Sequence, residues 1–461
     1  MIDSNVGASF RDPSGFVFVR DNVLYRQVNR SFSPDFDHFL SSGLYEALVD
    51  RELVVPHEEA DLSLARTSDA YKVLRPERVP FVSYPYEWSF GQLKDAALAT
   101  LTLQELALER GMSLRDASAY NIQFRRGRPV LIDTLSFERL KENAPWVAYR
   151  QFCQHFLAPL ALMTYRDVRL GQLSRIYIDG VPLDLTAGLL PFRARLRPSL
   201  LIHLFLHARS QRRHAATTDA RKQVRGRSFS AQAFRGLIQS LRGATQKMRW
   251  SPGGTVWATY YSEGESYAPD ALDRKRELVR SLLEEATPKR VWDLGANTGL
   301  FSRVAAEGGS DVVSFDLDLG AVELNYRQVV SNNETNILPL VMDLTNPSPP
   351  IGWENQERAS LAERGPVDLI LALALIHHLA IANNVPMERI AGFFGTLAPW
   401  LLIEFVPKGD PMVERLLATR EDIFPDYTGE GFEKAFGQHF SIVRREPIAG
   451  SDRVLYLLRG R

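Results

Sequence analysis

Beyond residue 270, short apolar runs alternate with stretches whose apolar residues recur every three or four positions. The runs predict buried strands, and the stretches predict amphipathic helices. The predicted strands are 291–294, 312–315, 337–341, 367–373, 401–405, 441–444 and 454–458. The predicted helices are 274–285, 300–307, 321–330 and 387–396. This alternation predicts an α/β fold with a mostly parallel sheet covered on both faces, to which the two late strands add an antiparallel edge.

The N-terminal half has a less regular pattern, which predicts an α+β domain. Residues 16–20 and 23–28 are expected to form a hairpin around Asp21-Asn22. A strand at 81–88 and a long helix at 92–110 are predicted to follow. Residues 146–164 are aromatic and apolar at helical spacing, which indicates core.

Composition narrows the class of protein. A chain of 461 residues exceeds one ordinary core, so two domains are expected. The formal net charge is zero, so overall charge implies no polyanionic partner. The single cysteine, Cys153, excludes an internal disulfide and a cysteine-rich zinc site. Without a signal-like N-terminus or an apolar run of about 18–20 residues, we expect a cytoplasmic protein with no membrane partner.

Residues 209–250 are strongly basic, and their only acidic residue is Asp219. This segment is either a solvated, partly helical linker or a basic surface for RNA, phosphate or an acidic partner. Because stacking aromatics are scarce there, base recognition is not favoured. We take the segment as a linker between domains 1–208 and 251–461.

The most informative stretch reads RVWDLGANTGLFS at residues 290–302. A strand ends at Asp293, a turn runs from Gly295 to Gly299, and a helix follows, an arrangement that can cradle a nucleotide-bearing cofactor. The spacing is G-x-x-x-G rather than the G-x-G-x-x-G of a dinucleotide site. We therefore expect a ligand without pyrophosphate, and S-adenosylmethionine is the leading candidate.

Carboxylates follow at the ends of the next two strands. Asp316 can accept two hydrogen bonds from a ribose diol, and Asp343 can accept one from an adenine amino group. Asp293 can face the sulfonium and amino groups of the methionine part. Asp318 is a weaker candidate that also suits a helix cap.

With these motifs, residues 251–461 resemble a class I S-adenosylmethionine-dependent methyltransferase with a Rossmann-like sheet. The DLGANTG sequence matches the first motif of that family, and the HHL sequence at 377–379 is similar to a form frequent in it. The resemblance implies that Asp293, Gly295, Asn297 and Gly299 line the methionine end of the cofactor. It also implies ribose binding by Asp316 and adenine binding by Asp343.

Methyl transfer needs alignment of the acceptor and, for some acceptors, removal of a proton. His377 and His378 lie near the strand ends and can act as a base, orient the acceptor, or simply pack against the cofactor. Glu404 is expected at the same rim and completes the candidate catalytic set. Tyr261, with Tyr260, is a candidate to close over the cofactor. No metal is predicted at this site.

In the N-terminal half, Arg115-Asp116, Asn121 and Asp133 resemble the catalytic loop and metal-binding aspartate of protein-kinase-like phosphotransferases. That resemblance implies that Asp116 orients a hydroxyl and that Asn121 and Asp133 hold magnesium. The sequence lacks the glycine-rich loop, the usual histidine, the glycine after Asp133 and a lysine in the early hairpin, where Arg26 is the nearest cation. These departures predict a degenerate kinase-like domain; the alternative is a simple polar turn.

The sequence thus predicts a methyltransferase for an unidentified O or N acceptor, with an N-terminal domain for substrate recognition or regulation. A bifunctional enzyme with an active kinase-like site and a non-catalytic cofactor-binding scaffold are the alternatives. The acceptor and the oligomeric state are open.

Overall fold

The computed structural model describes residues 4–209, 230–253, 269–418 and 420–461. The chain forms two compact units. The N-terminal unit comprises residues 1–250 with 352–358, and the C-terminal unit comprises residues 251–351 with 359–461. No described helix is both long and apolar enough to cross a membrane.

The C-terminal unit is built on a seven-stranded sheet. Its strands are β10 (Arg290–Leu294), β11 (Asp311–Asp316), β12 (Ile337–Val341), β13 (Leu369–Ala372), β14 (Trp400–Phe405), β15 (Phe440–Pro447) and β16 (Val454–Gly460). Its described helices are Pro269–Ala286, Leu300–Glu307, Leu319–Asn332, Met387–Leu397, Pro411–Leu417 and Gly429–Phe436, with a π-helical segment at His378–Ala382.

The strand order is β12-β11-β10-β13-β14-β16-β15. The five strands from β12 to β14 are parallel, and β16 and β15 are antiparallel, which confirms the predicted α/β sheet with its antiparallel edge. The chain leaves β10 toward β11 and returns on its other side through β13, so the strand order reverses between β10 and β13. Open parallel sheets bind ligands outside the strand ends at such a switch point.

One buried apolar cluster joins the sheet to its covering helices. It includes Val291 of β10, Leu369 of β13, Leu402 of β14, and Phe301 and Val304 of the helix after the glycine turn. At the far edge, β15 is mostly exposed and carries a β-bulge between Ile442 and Arg444. The strand predicted at 441–444 is therefore present but longer than expected.

The N-terminal unit begins with a five-stranded antiparallel sheet of order β1-β2-β3-β5-β4. Its strands are β1 (Ser4–Asn5), β2 (Gly15–Arg20), β3 (Val23–Asn29), β4 (His57–Ala60) and β5 (Ala70–Pro76). The predicted hairpin is confirmed: Asp21 and Asn22 connect β2 and β3 with φ of 50° and 63°, the left-handed conformation that two-residue hairpin turns require.

Four short strands follow as two antiparallel pairs. They are β6 (Met112–Leu114) with β9 (Phe137–Arg139), and β7 (Ile122–Arg125) with β8 (Arg128–Leu131). The described helices of this unit are Ser33–Ser41, Leu44–Val49, Phe90–Glu109, Tyr149–Phe152, Ala158–Tyr165, Leu173–Ile176, Leu183–Leu189, Phe192–Arg195, Pro198–Leu200 and Ala231–Lys247, with π-helical segments Cys153–Leu157 and Leu201–Leu206. The long helix matches its prediction, and the core expected within 146–164 is confirmed by the buried Phe152, Phe156 and Leu160.

Two expectations for this half differ from the structure. Residues 81–88 do not form a strand; a 3-10 turn, Pro85–Glu87, interrupts them because the Glu87 carboxylate accepts a hydrogen bond from the Tyr84 backbone N–H. The C-terminal part of the predicted linker is a helix of the N-terminal unit, Ala231–Lys247. Arg242 fixes this helix to the long helix Phe90–Glu109 through two hydrogen bonds, of 3.1 and 2.7 Å, to Glu105. Residues 210–229 lie outside the described residues.

Candidate cofactor and active site

The turn after β10 depends on backbone conformations that glycine adopts without strain. Gly295, Asn297 and Gly299 have φ of 79°, 50° and 82°. A Cβ atom at Gly299 would lie 2.5 Å from the side-chain amide of Asn325, so the turn needs glycine there for space as well. Gly299 then begins the helix Leu300–Glu307. A Cβ atom at Gly295 would lie 3.2 Å from Leu375, which places the loop after β13 against the turn.

Asp293 is buried at the end of β10. Ser302 Oγ donates to its Oδ2 at 2.6 Å, and Ser314 Oγ donates to Ser302 Oγ at 2.7 Å. Burial raises the pKa of Asp293 to about 7, and the nearby Asp316 adds to the rise. The carboxyl is therefore poised to ionise near neutral pH, where a cationic ligand would favour its charged form.

Asp316 ends β11 beside the same turn. The backbone N–H of Asn297 donates to its Oδ2 at 2.7 Å, and that of Asp318 donates to Oδ1 at 2.8 Å. Burial raises the pKa of Asp316 to about 6 despite these bonds. Each carboxylate oxygen accepts one backbone bond, so each keeps capacity for a ligand hydroxyl.

Asp318 and Asp343 have local partners. Asp318 caps the helix Leu319–Asn332, with Oδ1 2.6 Å from the backbone nitrogen of Gly320, so its cap role is confirmed. Asp343 follows β12, and its Oδ1 accepts bonds from the backbone nitrogen and hydroxyl of Thr345, at 2.8 and 2.7 Å. Asp293, Asp316 and Asp343 thus end three neighbouring parallel strands at one edge of the sheet.

His377 lies at the start of the helical segment that follows β13. Its side chain is fully buried, and neither ring nitrogen has a hydrogen-bond partner among the described residues. Its ring centroid lies 4.1 Å from that of His378. Burial, with His378, Arg453 and Lys275 nearby, lowers the pKa of His377, and burial also lowers that of His378. His377 is therefore a neutral imidazole with an unused donor and an unused acceptor.

The sequence predicted Glu404 at the same rim as His377 and His378. Glu404 is instead fully buried in β14. Lys275 Nζ lies 2.6 Å from its Oε2, and Arg453 lies 3.7 Å from its Oε1. Arg453 also binds Asp410 at 2.6 and 3.0 Å. The position differs because β14 is a central strand covered on both faces. Lys408, which follows β14, pairs with Asp422 at 2.7 Å.

Sequence reasoning missed Lys275, Asp410 and Arg453. A signal for Lys275 exists in the sequence: Lys275 occupies the apolar stripe of its helix, with the buried Ala271, Val279 and Leu282 at helical spacing. Lys275 Nζ also lies 4.8 Å from the ring centroid of Phe301. Asp410 and Arg453 carry no comparable pattern. Tyr260 and Tyr261 lie outside the described residues.

In the N-terminal unit the three kinase-like residues come together. Asp116 Oδ1 accepts bonds from the Ser118 backbone nitrogen at 2.9 Å and Gln151 Nε2 at 2.7 Å, and burial raises its pKa. Asn121 and Asp133 are linked through Ser136. Asn121 Nδ2 donates to Ser136 Oγ at 3.3 Å, and Ser136 Oγ donates to Asp133 Oδ2 at 2.6 Å.

Arg26 of β3 pairs with Asp133. Burial of Asp133 alone would raise its pKa, but Arg26 and Ser136 hold the pKa below its ordinary value. A guanidinium therefore contacts the carboxylate that the kinase resemblance assigned to a metal. Within the described ranges, no group of three or more metal-ligating side chains is found.

No protein-family profile matches the chain. The chain is 36% identical to nodulation protein NoeA of Rhizobium meliloti (strain 1021) over 456 residues, which are 98% of this chain and 95% of that protein.

Among solved structures, similarity is found to the bifunctional kinase-methyltransferase WbdD (14% identity, 45% of this chain, 43% of that chain, TM-score 0.30). It is also found to a SAM-dependent methyltransferase from Aquifex aeolicus (16% identity, 46% of this chain, 100% of that chain, TM-score 0.31). A third similarity is to the N-methyltransferase NodS from Bradyrhizobium japonicum WM9 (11% identity, 42% of this chain, 97% of that chain, TM-score 0.30). At these TM-scores the structural similarities add no weight to the site geometry.

Proposed function

We propose that this chain, which belongs to the family of nodulation protein NoeA, is an S-adenosylmethionine-dependent methyltransferase that acts on an O or N acceptor. The observation that carries the proposal is a pair of carboxyls beside the glycine turn at the switch point of the sheet, the buried Asp293 and the half-buried Asp316. In this proposal the N-terminal unit recognises the acceptor or regulates the reaction.

Each part of the cofactor has a matching group. Asp293 faces the sulfonium and amino group of the methionine part, where its charged form is favoured by a cation. The turn of Gly295, Asn297 and Gly299 gives the ligand close approach to the backbone. Asp316, already oriented by two backbone bonds, accepts the ribose hydroxyls, and Asp343 accepts a bond from the adenine amino group.

The sulfonium methyl is intrinsically electrophilic, so the residues need only align the acceptor and handle its proton. His377, neutral and with two unused ring nitrogens, orients the acceptor by a hydrogen bond to its hydroxyl or amino group. The His378 ring lies beside it, tilted by 41°, and limits its movement. Burial keeps His377 neutral, and Glu404 acts through Arg453 and Lys275, whose positive charges add to that effect.

Calorimetry with S-adenosylmethionine tests the assignment. Asp316→Ala removes the proposed ribose acceptor, so affinity should fall about tenfold to a hundredfold. The matched control is Asp311→Ala, at the opposite end of the same strand, which should leave the affinity unchanged. Absence of binding in the unaltered protein, or unchanged affinity in Asp316→Ala, would overturn the proposal and favour the scaffold alternative.

A second candidate function is phosphotransfer by the N-terminal unit. The grouping of Asn121 and Asp133 around Ser136, with Asp116 close to both of them, favours it. The pairing of Arg26 with Asp133 opposes it, because the carboxylate that would bind magnesium is already neutralised.

A further inference from the structure

One helical segment of the N-terminal unit exposes apolar side chains on its outward face. In the helical stretch of residues 198–209, the inward side chains Leu200, Leu204 and Ala208 are buried. The outward positions are also apolar: Leu201, Ile202 and Leu206 are 37%, 52% and 49% exposed. A surface helix normally turns polar residues outward, so this apolar row is unpartnered in the described structure.

The neighbouring helix extends the row. Phe192 and Leu196, in and just after Phe192–Arg195, are 72% and 68% exposed. The two segments are adjacent, because the Arg195 guanidinium lies 5.1 Å from the ring centroid of Phe205. The five exposed apolar side chains therefore belong to one surface, which we call the 192–209 face.

Every charged residue within 192–209 is an arginine. Arg193, Arg195, Arg197 and Arg209 are exposed on it, and the sequence from 185 to 209 contains no aspartate or glutamate. Long arginine side chains can rest on apolar surface while their guanidinium groups reach outward. The face therefore combines aliphatic side chains at its centre with cations around them.

We propose that the 192–209 face binds the surface of an anionic lipid bilayer. Apolar side chains can enter the boundary between headgroups and acyl chains while the arginines pair with anionic headgroups. A second copy of this chain suits the face less well, because a symmetric contact would bring two sets of arginines together. An acidic protein also suits it less well, because the outward positions of 201–206 offer no polar side chain to specify a partner.

This mode of attachment is peripheral. The expectation of no membrane partner rested on the absence of a spanning segment, which a face of this kind does not need. The proposal goes beyond the methyltransferase assignment and does not depend on it, since none of its residues belongs to the C-terminal unit.

Co-sedimentation of the full chain with lipid vesicles tests the proposal. Binding should be strong to phosphatidylcholine vesicles that contain phosphatidylglycerol and weak to phosphatidylcholine alone. Ile202→Ser with Leu206→Ser should lower partitioning at least about tenfold. Arg193→Gln with Arg197→Gln should lower it about fivefold per arginine and reduce its salt sensitivity by about half, because Arg195 and Arg209 remain.

The matched control is Val330→Ser with Ile442→Ser, which removes apolar side chains of similar exposure, 47% and 44%, from the C-terminal unit. This control should bind vesicles like the unaltered protein. Three results would overturn the proposal: no vesicle binding, equal binding to neutral and anionic vesicles, or equal loss in the control. A dimer in sedimentation that Ile202→Ser with Leu206→Ser dissociates would assign the face to self-association instead.

Discussion

At the scale of single residues, the main feature is a pair of carboxyls whose ionised form is disfavoured by burial. Asp293 and Asp316 have pKa values raised by burial to about 7 and about 6, from an ordinary value of 3.8. The folded protein therefore retains protons that the unfolded chain has already released. Its stability should decline as pH rises from the ordinary value through the raised ones.

The same carboxyls make cofactor affinity depend on pH. Affinity for S-adenosylmethionine should increase as pH rises from below the pKa of Asp316, about 6, to above that of Asp293, about 7, because ionised Asp293 attracts the sulfonium. Calorimetry across this range measures it. S-adenosylhomocysteine, which lacks the sulfonium charge, should show a weaker dependence, as should Asp293→Asn. Equal pH dependence for both ligands would contradict the role given to Asp293.

At the scale of elements, the sequence predicted those features that depend on neighbouring residues, and it did not predict contacts between residues far apart in the chain. The glycine turn, Asp316 and Asp343 each follow an apolar strand directly, so their place at one sheet edge could be read before the fold was known. The environment of Glu404 could not be predicted from the sequence. Its partners Lys275 and Arg453 lie 129 and 49 positions away along the chain and contact it only in the folded sheet. Residues 81–88 were mispredicted because the turn at Pro85 overrides their apolar pattern.

The helix Pro269–Ala286 is fixed to β14 by the buried Lys275–Glu404 pair, and this gives a stability prediction. Lys275→Met alone should lower the free energy of unfolding by about 3–5 kcal/mol, because it leaves a buried carboxylate without its ammonium. Lys275→Met with Glu404→Leu should recover most of that loss, since no charge is then stranded. Chemical denaturation measures both.

The control for this experiment is Arg280→Ala, on the same helix, which breaks an exposed pair with Glu307. It should change the unfolding free energy by less than about 1 kcal/mol. If Lys275→Met costs no more than Arg280→Ala, the buried pair contributes little and Glu404 must be explained otherwise.

At the scale of the whole molecule, each of the two units has its own group of buried or half-buried carboxyls. In the C-terminal unit the carboxyls beside the turn have raised pKa values, whereas in the N-terminal unit Asp133 is already neutralised by Arg26. The two units thus differ in their readiness to take up a cation. We expect methyl transfer chemistry in one and recognition or regulation in the other.

A binding experiment separates these roles. Calorimetry with an ATP analogue and magnesium should give no magnesium-dependent binding to the full chain, because Asp133 is paired with Arg26. Asp133→Ala should leave S-adenosylmethionine affinity unchanged, and so should its matched control Asp12→Ala, which breaks the Asp12–Arg115 pair of the same unit. Magnesium-dependent nucleotide binding that disappears only in Asp133→Ala would support the second candidate function.

The bulged edge strand β15 has a consequence for how molecules meet in concentrated solution. An unpaired strand edge is a template on which another chain can extend a sheet, and proteins protect such edges with bulges and charged side chains. Strand β15 has both, a bulge between Ile442 and Arg444 and the neighbouring charges of Arg444 and Arg445. This edge therefore hinders another chain from pairing with β15, which is the step that would extend the sheet into an aggregate.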